Sequence, residues 1–360
     1  MLLAARGRGL VEPNPVVGAV ISRHGKVVAE GYHHHFGGPH AEVVALKKAG
    51  AKACGATLYV TLEPCCHWGK TPPCTDAILA AGISRVIVAM TDPYAKVHGK
   101  GIAILRRAGV RVEVGLMEKE ARQINAPFVT QHTLGRPFII AKWAQSLDGC
   151  IALSSGESKW ISSEESRQRA QVLRGRVDAI VVGIRTALLD NPLLLARPNS
   201  GRQIKRIATR IVLDSACRLP LEGQLVRTVA VAPVLVAHAQ RLSRQGLKRR
   251  EELQKKGVMM VGLPRGKFGL NLAALLKHLQ TLEYTNILVE GGSETLASFF
   301  NAELVDEAQV FVAPIVIGGH NARHAVGGPD LAKLAQAHQM ELMSIDRCGP
   351  DAHLVLRTTP

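Results

Sequence analysis

A chain of 360 residues, 47% of them hydrophobic, is long enough for two ordinary domains, and it holds no apolar run able to span a membrane and no secretory signal at its start. The net charge of +16 would suit nucleic acid, but only 4% of residues are aromatic and the basic residues are dispersed outside 202–210 and 241–256. That argues against a nucleic-acid partner and for phosphate-bearing small ligands. Seven cysteines without a disulfide-like framework point to a reducing, cytoplasmic compartment, with Cys54, Cys150, Cys217 and Cys348 read as small core residues or free thiols.

Up to about residue 115, strands and helices alternate. Strands are expected at 16–22 and 26–32, a helix at 40–49, a strand at 57–62 and a helix at 74–82. A strand at 85–90, a helix at 100–108 and a strand at 111–115 follow. This order predicts a three-layer α/β domain on a mixed sheet. Residues 117–131 read as a linking helix, broken by Gly135-Arg136-Pro137, after which the strand FIIAKWA opens a second domain. The expected limits are therefore 1–116, 117–136 and 137–360. In the second domain the run 241–256 reads as the solvated face of a helix. The apolar strand NILV at 286–289 leads into Gly291-Gly292 and a helix at 293–301, whose free amides suit a pyrophosphate. No Gly-x-Gly-x-x-Gly is present, so a Rossmann cofactor site is not indicated.

The chemistry concentrates in His40-Ala41-Glu42, followed by Pro64-Cys65 and then Cys74. One imidazole and two thiolates make three protein ligands for Zn²⁺ and leave the fourth tetrahedral position to water, as in a catalytic site. Glu42 is placed to shuttle that water's proton. H-x-E with P-C is the zinc deaminase signature, in which hydroxide attacks an amino-bearing ring carbon and ammonia leaves. The common form separates the cysteines by two residues, whereas here the whole stretch 66–73 lies between them.

That long loop, Cys65-Cys66-His67-Trp68-Gly69-Lys70-Thr71-Pro72-Pro73-Cys74, together with Asn14-Pro15-Val16-Val17-Gly18, resembles the bifunctional riboflavin-biosynthesis deaminase/reductase family. The resemblance covers essentially the whole chain. In the second half it rests on Lys142 to Gly149, Gly156 to Ile161, Gly183 to Pro192, Leu213-Asp214-Ser215 and Val289 to Ser293. It implies an N-terminal cytidine-deaminase-like three-layer α/β domain and a C-terminal dihydrofolate-reductase-like α/β domain. It also implies Zn²⁺ on His40, Cys65 and Cys74, with Glu42 as the proton carrier. Cys66 stands where the family usually has serine and is expected to be a bystander.

By the same resemblance, Asn14 contacts the deaminase substrate, with His67 and Lys70 as further candidates. Ala144, Trp160, Thr186, Asp190, Ser215, Gly292, Ser293, Glu294, Thr295, Leu296, Ala297 and Ser298 contact NADPH. Ser158, Arg174, Leu194, Arg197 and Glu290 contact the reductase substrate, Arg174 and Arg197 offering the planar fork that clamps phosphate. Lys142 and Asp148 are polar residues near a strand end, either of which could orient the ribose, with no acid or base role assigned between them. The run 197–210 is a candidate contact for the cofactor's 2′-phosphate. The implied function is deamination of a diaminopyrimidinone ribosylamine phosphate, then NADPH reduction of the ribose to a ribityl chain, in a cytoplasmic homo-oligomer, a dimer or tetramer. The stretch LLAARGRG looks like the tail of the family's first helix, so part of the substrate-side wall is expected to be missing. Three alternatives stay open: a chain active only as the reductase, a nucleoside or nucleic-acid zinc deaminase, and a zinc-stabilised binding protein without turnover.

Overall fold

Alternating apolar and polar residues on either side of His24-Gly25 fold as a hairpin, β1 (Gly18–Arg23) and β2 (Lys26–Tyr32). Both turn residues are left-handed, with φ of 50° and 74°, which is the geometry of the two-residue turn that matches strand twist. The computed structural model describes residues 1–197 and 206–358 and divides into two units, Met1–Arg136 and Pro137–Pro360.

In the first unit β3 (Thr57–Val60), β4 (Arg85–Val88) and β5 (Arg111–Val114) join the hairpin in a sheet of order β2-β1-β3-β4-β5. β1 pairs antiparallel with both neighbours, and β3, β4 and β5 run parallel. Parallel neighbours need crossovers, supplied by the helices Cys74–Ala80 and Lys100–Arg107. Ala19, Ile21, Leu58, Val60, Val86 and Val88 form one apolar face, packed against Ala45, Leu46, Ile78 and Leu105 of the helices.

The residues expected to form one linking helix form two, Glu118–Ile124 and Ala126–Leu134, and both belong to the first unit. The break is Asn125, whose side chain leaves the helix to grip the backbone of Val16. The Val16 N–H donates to Asn125 Oδ1 at 2.9 Å, and Asn125 Nδ2 donates to the Val16 carbonyl at 3.0 Å. A buried amide thus pins the turn that carries Asn14.

The second unit has β6 (Phe138–Ser146), β7 (Cys150–Ala152), β8 (Ala179–Gly183), β9 (Thr209–Leu213), β10 (Val234–Ala239), β11 (Met259–Leu263), β12 (Arg265–Gly266) and β13 (Gly269–Leu270). β14 (Asn286–Val289), β15 (Glu307–Ala313), β16 (Arg323–His324), β17 (Met340–Cys348) and β18 (Asp351–Thr358) follow. The main sheet has the order β11-β10-β9-β8-β14-β6-β15-β18-β17, parallel as far as β15 and closed by the antiparallel β18 and β17. β8, β10 and β14 read as continuous apolar runs because they are covered on both faces. Helices Leu272–Thr281 and Ser293–Asn301 cover one face, with Leu275, Leu279, Leu296 and Phe299 completely buried. Among the described residues no helix is long and apolar enough to cross a membrane.

Candidate active sites

In the first unit, strand ends and helix starts converge. His40 is the residue before helix Ala41–Ala49, and Glu42 lies in its first turn, 3% exposed. Cys65 follows the end of β3, and Cys74 opens the next helix. The intervening loop closes on itself. Cys74 N–H donates to Cys65 Sγ at 3.3 Å, and Thr75 N–H to the Cys65 carbonyl at 3.2 Å. The long spacing therefore still returns the second thiol beside the first.

His40 Nδ1 stands 3.2 Å from Cys74 Sγ and 3.5 Å from Cys65 Sγ, and the three ligand atoms all lie within 4.8 Å of one another. One imidazole and two thiols at that spacing fit a tetrahedral zinc ion. His40 Nε2, on the far side of the ring, meets Thr71 Oγ1 at 3.4 Å, a partner that fixes ring orientation when Nδ1 is the ligand. Hydrogen bonding from Cys74, and then from His40 and the Cys74 N–H, draws the Cys65 thiol well down. That same bond, with burial, pushes Cys74 up. Burial raises Glu42, whose carboxyl meets the Cys74 thiol. Cys66 is outside the cluster; burial, then the charge of Glu63, keeps its thiol protonated.

Asn14 Nδ2 lies 3.2 Å from His33 Nε2, and His33 Nδ1 lies 3.0 Å from the Pro39 carbonyl. Nδ1 must therefore carry the proton, leaving Nε2 to accept from Asn14 and orient its amide. Asp92 is buried, and burial carries its carboxyl up to about 6 against the donation of Tyr94 N–H. Lys70 Nζ sits 3.7 Å over the Phe36 ring, and His67 faces Tyr94 edge-on. Thr71 lies in the identifying loop but had no role assigned to it there, and His33 and Asn125 carry no motif-level signal; only the closed loop and the broken helix bring them in.

In the second unit a cleft of about 640 Å³ opens beyond the C-terminal ends of β6, β8, β9 and β14, where parallel sheets bind ligands. Gly291 is required there because a Cβ would meet the Thr295 side chain at 2.5 Å. Helix Ser293–Asn301 starts at Gly292 with no side-chain cap, so its first amides stay available to an anion. Thr186, Asp190, Ser215 and Ala144 line the cleft. From the helix start come Gly292, Ser293, Glu294, Thr295 and Ser298. These donors and the volume fit a dinucleotide.

Three expected cofactor positions are not among the residues that line the cleft. Leu296 and Ala297 turn away, because helical periodicity sends them inward, where they are 0% and 3% exposed. Trp160 stands outside the cleft, 70% exposed, with the Arg167 guanidinium 4.6 Å over its ring.

Of the substrate positions, Ser158 and Glu290 line the cleft. Arg174 holds Glu290 by two bonds, Nε to Oε1 at 2.9 Å and Nη2 to Oε2 at 2.6 Å. Burial works to raise Glu290, but Arg174 and then Lys142 overcome it and hold its carboxyl ionised. Burial in turn lowers Lys142, opposed by Glu290. Leu194 is buried and Arg197 exposed; neither lines the cleft. Lys142, expected as a group that could orient the ribose, lines it, and Arg185, Arg218, Phe268 and Arg323 line it without having been assigned to it. Of the run 197–210, positions 198–205 lie outside the described residues. Arg206 pairs with Asp178, and Arg210 is buried.

The chain matches two family models, the cytidine and deoxycytidylate deaminase zinc-binding region over 1–90 and the RibD C-terminal domain over 137–354. A riboflavin biosynthesis protein RibD of Aquifex aeolicus is 42% identical over 351 residues, covering 97% of this chain and 94% of that protein. The chain belongs to the RibD family. A solved RibD structure from Acinetobacter baumannii is 36% identical with a TM-score of 0.87, covering 100% of this chain and 96% of that one. Another, a Thermotoga maritima diaminohydroxyphosphoribosylaminopyrimidine deaminase/5-amino-6-(5-phosphoribosylamino)uracil reductase, is 32% identical with a TM-score of 0.83, covering 99% and 96%. As a RibD, the chain has the cytidine-deaminase-like and dihydrofolate-reductase-like folds expected of it, and its cofactors are zinc and NADPH.

Proposed function

We propose that the chain performs both RibD reactions, deaminating 2,5-diamino-6-(5-phosphoribosylamino)pyrimidin-4-one and reducing 5-amino-6-(5-phosphoribosylamino)uracil. The observation that carries this is the pairing on one chain of a His-Cys-Cys cluster beside a buried glutamate with a dinucleotide-sized cleft.

In the first unit His40, Cys65 and Cys74 hold zinc, which when bound makes a hydrolytic water acidic near neutral pH. Glu42 takes that water's proton and carries it to the ring nitrogen, then to the departing ammonia; burial of its carboxyl suits both transfers. Thr71 holds the His40 ring in place, and Asn14, fixed by His33 and by the Asn125 clamp, presents its amide to the pyrimidine.

In the second unit the cleft would hold NADPH, which when bound would supply the hydride chemistry of the ribose reduction. The uncapped Gly292 helix start would hold the cofactor's pyrophosphate, and Arg185 and Arg218, which line the same cleft, would offer guanidinium donors to a 2′-phosphate. The Arg174–Glu290–Lys142 group orients the ribose together with Ser158; Leu194 and Arg197 lie outside the cleft lining and would meet the substrate through the segment 191–197, which Arg197 N–H ties to Gln171 on the helix that ends in Arg174. A cytoplasmic location suits thiol ligands that must stay reduced. The working form is a homo-oligomer without nucleic-acid or membrane partners.

Metal analysis combined with ammonia release tests the roles. Cys65→Ser and Cys74→Ser should lose both zinc and ammonia release, and Glu42→Gln should keep zinc and lose only ammonia release. Undiminished ammonia release by Glu42→Gln would overturn the assignment.

A further inference from the structure

Among the described residues, the largest fully buried side chain is a charged one, Arg210 on β9, 0% exposed. Its Nη1 donates to the Leu193 carbonyl at 3.1 Å and the Thr228 hydroxyl at 2.6 Å. Its Nη2 donates to the Thr228 carbonyl at 2.9 Å and to the Ala232 carbonyl. No carboxylate is among these partners, and burial brings the guanidinium down to about 10. A buried charge without a counter-ion is expensive, and an apolar side chain would fill a strand position at less cost. What the charge accomplishes is a set of backbone attachments.

Those attachments converge on one segment. Asn191 and Leu194 both adopt left-handed backbone, with φ of 42° and 51°. Asparagine tolerates this, but a leucine there is strained and persists only if its surroundings hold it. Gln224 grips Asn191 twice: its N–H donates to Asn191 Oδ1 and its Nε2 to the Asn191 carbonyl, both at 2.7 Å. Thr228, which Arg210 holds, follows the short helix Gln224–Arg227 and returns a bond to the Gln224 carbonyl at 2.6 Å. One guanidinium therefore fastens Leu193 directly and Asn191 through Gln224. Farther along, the Arg197 N–H donates to Gln171 Oε1 at 2.9 Å, on the helix that ends in Arg174.

We infer that Arg210 is a positioning residue of the reductase: by fixing Leu193 and the Gln224 support, it holds the strained segment 191–197 where the phosphorylated pyrimidine is bound. This rests on the reading that Leu194 and Arg197 contact that substrate. Arg210 touches neither substrate nor cofactor and acts only through the segment.

Steady-state kinetics on the full chain, with the deaminated substrate supplied, tests it in Arg210→Lys, Gln224→Ala and Arg197→Ala. Arg210→Lys and Gln224→Ala should raise KM for the pyrimidine substrate about tenfold, the worth of one well-made hydrogen bond. The kcat at saturation, KM for NADPH and ammonia release should stay within about twofold. Gln224→Ala, a surface change, carries the test if Arg210→Lys fails to fold. If Arg197→Ala raises KM but the other two leave it unchanged, or lower kcat and both KM values alike, Arg210 is merely structural and the inference is wrong. If Arg197→Ala itself leaves KM unchanged, the reading of the segment falls, and the inference with it.

Discussion

Acidification from pH 7 to about pH 4 should destabilise the second unit by about 3 kcal/mol through one imidazole, His353. The ring is 5% exposed and stacks on Phe311 at 4.4 Å. Arg169 Nη1 lies 2.7 Å from His353 Nδ1, and an arginine can only donate, so Nδ1 is the acceptor. The proton therefore sits on Nε2 and is given to Gln309 Oε1 at 2.7 Å. Gln309 passes the order on to Glu307, which Arg357 closes. Burial, then Arg169, holds the imidazole down from 6.5 to about 4, with Asp346 opposing. As pH falls through 6.5 the unfolded chain takes up a proton that the folded chain refuses until about 4. Stability is thus intact above 6.5 and lost across that window, and the shift corresponds to about 3 kcal/mol. Urea unfolding of wild type and His353→Gln at several pH values measures it. The variant should start less stable but lose about 3 kcal/mol less between the two limits. Equal pH slopes, or an imidazole resonance of His353 titrating near 6.5, would refute the reasoning.

Two further outcomes follow from named contacts. Asn125→Ala removes both bonds to Val16 and should cost the first unit about 1–3 kcal/mol, with a raised KM for ammonia release and unaltered NADPH oxidation of supplied intermediate. Arg174→Met leaves the largely buried Glu290 with Lys142 as its remaining cation. It should lower stability by about 3 kcal/mol and reductase kcat/KM by about a hundredfold, whereas Arg174→Lys should recover little because the two-pronged geometry is lost.

The deaminase site was readable because its chemistry is local: His40 and Glu42 share a helix turn, and Cys65 and Cys74 are joined by a loop with an identifying pattern. In the second unit the strands FIIAKWA and NILV were legible as apolar runs, whereas the other parallel strands of its sheet were not singled out. What escaped was set by long-range packing. Asn125 looks like any helical asparagine until its partner at Val16 is known. Arg210 lies in a stretch whose basic residues suggested a phosphate contact, yet it is sealed among carbonyls. Carrying over the unbroken stretch Gly292 to Ser298 ignored that a helix shows a ligand only one face, which is why Leu296 and Ala297 fell in the core. The exposed Trp160 and Arg218 depended on loop paths that no periodicity reports, and Arg185 lies in the first turn of the helix Ile184–Asp190.

The most direct measurement is a coupled assay with the diaminopyrimidinone ribosylamine phosphate, following ammonia and NADPH separately in wild type and Glu42→Gln. Two chemically separate sites on one chain predict ammonia release followed by NADPH oxidation in wild type. In the variant both should be lost, and NADPH oxidation alone restored by the deaminated intermediate. NADPH oxidation only with supplied intermediate, and no ammonia from zinc-loaded wild type, would contradict that claim and leave a reductase.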